Sequence, residues 1–154
     1  MTVHGVPSPP HAHVASGLSD RTFGRELCRR HAEALARMAS LMLGDDTAAD
    51  DVVSDAIAAV CRADDQPHRH DVTLVHLARS VYSRCLGRLA THERFSFDSA
   101  PHRGRRFSMT DDQRAVVALV LFGGHDLAQA AATLNRSPAV VTGHLRAAAA
   151  IIGR

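Results

Sequence analysis

Apolar side chains recur at three- and four-residue intervals through most of this chain, the spacing of amphipathic helices. The pattern predicts an all-α protein. A long helix is expected from Asp20 to Leu43, with Phe23, Leu27, His31, Leu35, Met38 and Met42 on one stripe and Gly44 just past its end. A second follows over 45–62. Asp45, Asp46 and Thr47 suit its first turn, Val52, Val53, Ile57, Val60 and Cys61 form its apolar face, and Asp51 and Asp55, four apart, project from one polar side. After a loop at 63–70, Asp71 opens a third helix. Leu74, Val75, Leu77, Ala78, Val81, Tyr82, Cys85, Leu86 and Leu89 are its apolar positions, interleaved with Arg79, Arg84 and Arg88.

The C-terminal third has the layout of a helix-turn-helix preceded by a supporting helix. Thr110 can cap the first of its helices, Asp111 and Asp112 suit the positive end of the helix dipole, and Val116, Val117, Leu119, Val120 and Leu121 give an apolar face. Gly123-Gly124 stops it. Asp126 can cap a second helix to Leu134, on which Leu127, Ala130, Ala131 and Leu134 repeat at helical spacing. Asn135-Arg136-Ser137 makes the turn. Ser137 then caps a third helix with Pro138 in its first position, where a missing N–H costs nothing, and Val141, Leu145, Ala148 and Ile152 are expected to face inward. In proteins of this layout the third helix enters the DNA major groove.

These elements divide the chain into a disordered tail (1–19), a helical domain (20–90), a flexible basic linker (91–108) and a helix-turn-helix domain (109–154). At 154 residues and 45% hydrophobic content the chain has enough apolar side chains for one core or two small ones. No run approaches the roughly 18 apolar residues of a membrane span, and the first twenty lack a signal-peptide core, so a cytoplasmic protein that does not enter membranes is expected. Cys28, Cys61 and Cys85 are odd in number and far apart, which suits reduced thiols packed as small apolar groups. The net charge of +2 conceals segregation. Residues 21–44 carry five Arg against two Glu and 45–71 carry eight Asp against two Arg, whereas 72–110 carry seven Arg against two acids. One acidic face for a protein and one basic face for nucleic acid would account for the blocks, as would helices simply exposing their charges to water.

The order of parts resembles the sigma-70-type sigma factors of the two-domain extracytoplasmic-function group, from Arg25 to the C-terminus. The segment Gly44-Asp-Asp-Thr-Ala-Ala-Asp-Asp-Val-Val-Ser-Asp-Ala-Ile-Ala-Ala-Val-Cys-Arg62 is similar to that family's G-D-x-x-x-A-E-D-L-V-Q-E-A-F-x-x-L-W-R helix, which docks on core polymerase. By this resemblance Asp51, Ser54 and Asp55 lie on the docking face, Ser54 replacing the usual Gln. Upstream, Leu27-Cys-Arg-Arg-His-Ala-Glu-Ala-Leu35 resembles the L-Y-R-R-H-x-x-x-L opening, and Gln113, Leu119, Gly124, Leu134, Ser137, Val141 and Leu145 fall in the family's order. The resemblance implies core RNA polymerase and promoter DNA as partners. An anti-sigma factor or a second sigma-like protein is a further expected partner.

The departures bear on DNA reading. The family's promoter-opening helix carries Trp, Asn and Asp where this chain has Thr73, Ser80 and Arg84, and there is no Trp anywhere. Holding a flipped base calls for an aromatic face or a polar pocket. Tyr82 is the one ring on that helix, and its place among Val81, Cys85 and Leu86 also suits plain packing. Arg79, Ser80, Tyr82, Arg84 and Arg88 are therefore the candidate DNA-binding residues there, joined in the last two helices by Arg136, Thr142, His144 and Arg146. The recognition helix has Thr142, Gly143, His144 and Ala147 where Lys, Ser, Arg and Arg are usual, so affinity and its salt dependence should be low.

Three functions fit this sequence: a working sigma factor, a degenerate sigma-like regulator that binds polymerase or a protein partner without reading promoters, and a free-standing helix-turn-helix regulator. The last leaves the acidic helix without a role. No phosphate-binding loop, nucleophile motif or paired carboxylates point to an enzyme, and no cofactor is expected. Eleven histidines invite a metal site, with His68, His70 and His76 as the best cluster, but the spacing is irregular, no C-x-x-C accompanies it, and none is expected.

Overall fold

The computed structural model describes residues 12–62, 72–95 and 109–153, with side chains over 21–62, 72–91 and 109–153. Among the described residues the protein is all-α, with no strand. α1 (Ala12–Leu43) turns tightly into α2 (Asp46–Arg62) and packs along it, and α3 (Leu74–Phe95) contacts both. The turn between the first two needs Gly44, which sits at φ +71 in the left-handed region and donates its N–H to the Ser40 carbonyl at 2.8 Å. Asp45 caps α2, its Oδ1 accepting from the Ala48 N–H at 2.8 Å, and Thr73 caps α3 through the His76 N–H.

Two boundaries differ from the sequence reading. α1 begins at Ala12 rather than Asp20, so 12–19, expected to be disordered, are helical. Extending an existing helix is far easier than nucleating one, and the nearest upstream breaker is Pro10. α3 starts three residues later than Asp71, at the Thr73 cap, and runs on to Phe95 into the expected linker. The rest of the tail (1–11), the 63–70 loop and the linker from 96 to 108 lie outside the described residues.

The C-terminal helices follow their caps closely. α4 (Asp111–Val117) opens with a capping box in which the Thr110 hydroxyl accepts from the Gln113 N–H while the Gln113 side chain accepts from the Thr110 N–H. Asp126 and Gln129 make the same reciprocal pair at the start of α5 (Leu127–Leu134). Ser137 caps α6 (Pro138–Ile152), and Asn135 turns the chain between α5 and α6 at φ 52.

The sequence pattern gave no sign of one element. After Val117 the helix widens into a π-turn over Ala118–Phe122, closed by the Gly123 N–H on the Ala118 carbonyl at 2.9 Å. The extra residue in the turn rotates the end of the helix. Leu119 stays fully buried, whereas Leu121, expected on the apolar face, is 60% exposed. Ile152 and Leu127, also expected inward, are exposed too, at 49% and 38%.

The core runs without a break from the first helices into the helix-turn-helix. Leu35 and Met38 of α1, Val52 of α2, Leu77 and Val81 of α3, and Val116, Leu119 and Val141 of the C-terminal helices are all buried in one cluster. α1 lies directly against the π-turn.

Candidate protein-docking and DNA-facing surfaces

On α2 the buried residues Ala49, Val52, Val53, Ala56 and Ile57 define one side, and Asp51, Ser54 and Asp55 are exposed on the other. The three residues expected to dock on a protein thus share a solvent face. Asp51 is tied across to α3, its Oδ2 accepting from Arg88 Nη2 at 3.4 Å. Both partners are largely exposed, so the pair itself contributes little stability. It does bring together one residue expected to meet polymerase and one expected to meet DNA.

The remaining α3 candidates divide by face. Arg79 is exposed. Arg84 turns back on its own helix and donates from Nη1 to Ser80 Oγ, so Ser80 and Arg84 are engaged with each other. Tyr82 is half-buried against the core, on a stripe with Leu74 and Ala78 at four-residue spacing. Burial, and then the Asp112 carboxylate, push its phenol above the ordinary pKa, while Arg136 acts the other way. Both neighbours belong to the helix-turn-helix. Cys85 is fully buried and its thiol is pushed up to about 11, so it packs as the apolar group the sequence suggested.

In the last two helices Arg136 and Arg146 are exposed. Thr142 is half-buried and donates its hydroxyl to the Pro138 carbonyl at 2.9 Å. His144 Nε2 lies 4.0 Å from Asp112 Oδ2, an ion pair only when the imidazole is protonated. Of the four candidates, Thr142 is therefore bonded within its own helix, and His144 lies beside Asp112.

Three features were invisible to sequence reasoning. Asp112, read only as a helix-dipole residue, faces both Tyr82 and His144. His125 is 3% exposed, with Nδ1 3.0 Å from the Gly123 carbonyl and Nε2 buried without a hydrogen-bond partner among the described residues; burial holds its pKa below the usual range. Lastly, a groove of about 680 Å³ opens where α1 and the start of α2 meet the π-turn and the end of α6. Leu41, Leu121, Phe122 and Ile152 give it an apolar lining, and Glu33, Asp46 and Asp50 together with Arg37 and Arg114 line it with charges of both signs. Residues far apart in the chain build it, so no local pattern could have shown it.

Among the described residues no three His, Cys, Asp or Glu side chains gather at a metal-binding spacing, and His68 and His70 lie outside them. No described helix is long and apolar enough to cross a membrane.

No protein-family model matches this sequence, and no curated protein does. Among solved structures, the chain is similar to that of CnrH in complex with the cytosolic domain of CnrY, with a TM-score of 0.55 and 26% identity over 90% of each chain. CnrH is a sigma factor of the extracytoplasmic-function group, and the fold of this chain is similar to it over nearly its whole length. A sigma-factor-like role is what this similarity supports.

Proposed function

We propose that this protein is a divergent extracytoplasmic-function sigma factor that binds core RNA polymerase through α2 and brings it to promoter DNA. The similarity to CnrH across both groups of helices carries the reading. The docking motif supports it, because Asp51, Ser54 and Asp55 face solvent together while the apolar side of the same helix is buried. Asp51→Arg/Asp55→Arg inverts the charge of that face without touching the core. Pull-down with core polymerase should lose at least about tenfold in affinity, since like charges facing each other across an interface cost several kcal/mol. Unchanged binding by a folded double variant rejects the assignment.

CnrH is solved with a protein partner, and the groove lined by Leu41, Leu121, Phe122 and Ile152 is where this chain could take one. We place an anti-sigma factor or a second sigma-like protein there. A second reading, a sigma-like regulator that binds polymerase without reading promoters, is favoured by the state of the DNA-facing side chains: Ser80, Arg84 and Thr142 bond within their own helices and Tyr82 is half-buried. Run-off transcription with core polymerase separates the two readings. A working factor initiates unaided, and the regulator binds polymerase without producing transcript.

A further inference from the structure

The helix expected to enter the major groove, α6, turns an apolar face to water. Ala139, Val140, Gly143, Arg146 and Ala147 are exposed at helical spacing, and Val140, a large apolar side chain, is 43% open to solvent. Gly143 stands in the middle of that face. A glycine inside a helix costs stability relative to alanine, and the protein itself gives no reason for this one: its φ is not positive, and among the described residues nothing lies within 4 Å of where its Cβ would be. What the missing side chain does allow is close approach of an outside surface to the backbone. The polar groups beside it are engaged. The Thr142 hydroxyl donates to the Pro138 carbonyl, which leaves a methyl as the group it can offer, and His144 lies beside Asp112 of α4. α6 has no acidic residue, while Arg136 just before it and Arg146 in its second half are both exposed. Arginines bracketing an acid-free helix suit a polyanion better than an apolar protein surface.

We propose that α6 selects thymine: Gly143 lets the helix settle close to the base edges, Val140 and Ala147 cover the C5-methyl groups that thymine alone presents in the major groove, and Arg136 and Arg146 hold phosphates on either side. The inference rests on the sigma-factor reading and names the kind of base its recognition helix reads. Guanine offers two acceptors in the major groove, best met by a forked arginine, and adenine an acceptor and a donor, best met by Asn or Gln. The exposed face of α6 has no amide side chain. Its one arginine, Arg146, lies beyond the N-terminal residues from which such helices contact bases. Apolar contact with thymine methyls is the readout left to Val140 and its neighbours, and it counts only where water is squeezed out between methyl and helix. A side chain at position 143 would stand in that gap.

Selection from random duplexes by holoenzyme, reconstituted from core polymerase and the full-length chain, tests this. The enriched duplex should contain thymines whose exchange for deoxyuridine, which lacks only the 5-methyl group, weakens binding about fourfold for each methyl buried. Val140→Ser, a change at an exposed position, should abolish that difference at the thymine it covers and so assign it to α6. Gly143→Leu fills open space with a better helix former, so the free chain should melt about 2–4 °C higher, yet its holoenzyme should form at least about tenfold less complex with the selected duplex. Equal binding of thymine and uracil, a preference that Val140→Ser leaves intact, or undiminished complex with Gly143→Leu each overturns the inference. So does loss of polymerase binding in either variant, which makes the face a protein contact. If the native chain binds no polymerase, the sigma-factor reading falls, and the same selection with the full-length chain alone decides the inference. Enrichment of duplexes that prefer thymine to uracil upholds it, and no enrichment ends it.

Discussion

Leu119→Ala should destabilise both groups of helices together. Leu119 lies in the π-turn, is fully buried, and shares its cluster with α1 and α3 as well as with α4 and α6. Removing a buried leucine side chain costs about 3 kcal/mol, within a range of roughly 2–5, because the lost transfer free energy is joined by that of the cavity left behind. For a chain of this size that corresponds to a fall of about 6–12 °C in Tm. The decisive feature is the sharing of the loss. Far-ultraviolet circular dichroism follows all the helices, whereas Tyr82, the single tyrosine in a chain without tryptophan, follows the contact between α3 and the helix-turn-helix. In urea the two signals should move together in the native protein and shift together in Leu119→Ala. Two separate transitions, with only the C-terminal helices weakened, would refute the argument from a shared core and restore two independently folding domains.

His125 makes stability depend on pH. Burial lowers its folded pKa below the unfolded value of 6.5, so the unfolded chain binds the proton first and stability falls as pH drops below about 6.5, until the folded imidazole itself titrates. His31, lowered by burial and by Arg30, acts in the same direction. Denaturation midpoints between pH 7.5 and 5 should fall less in His125→Gln than in the native chain, and equal slopes would remove His125 as a cause. At the start of α5, Asp126→Ala removes the acceptor of the Gln129 N–H and should cost about 1 kcal/mol, read as a reduced urea midpoint with an unchanged slope. Asn135 holds φ 52 between α5 and α6, so Asn135→Gly should be nearly neutral while Asn135→Val costs on the order of 1–2 kcal/mol.

The helices and most of their ends were legible along the chain. Spacing of apolar residues marked each helix, and Asp45, Thr110, Asp126 and Ser137 cap where their side chains allow, because a cap is a bond between near neighbours in the chain. The solvent face of α2 was legible for the same reason, since periodicity alone separates Asp51, Ser54 and Asp55 from Val52, Val53 and Ile57. Everything that depends on which helix lies beside which came from packing instead. The π-turn at Ala118–Phe122 has no local signature; it is seen only where the chain packs on α1, turning Leu121 out while Leu119 stays in. Tyr82, Asp112, Arg136 and His144 come together from α3, α4, the α5–α6 turn and α6, and the Leu121–Ile152 groove likewise joins distant segments. Contacts of that kind are set by packing complementarity over the whole molecule, which periodicity along one helix does not encode.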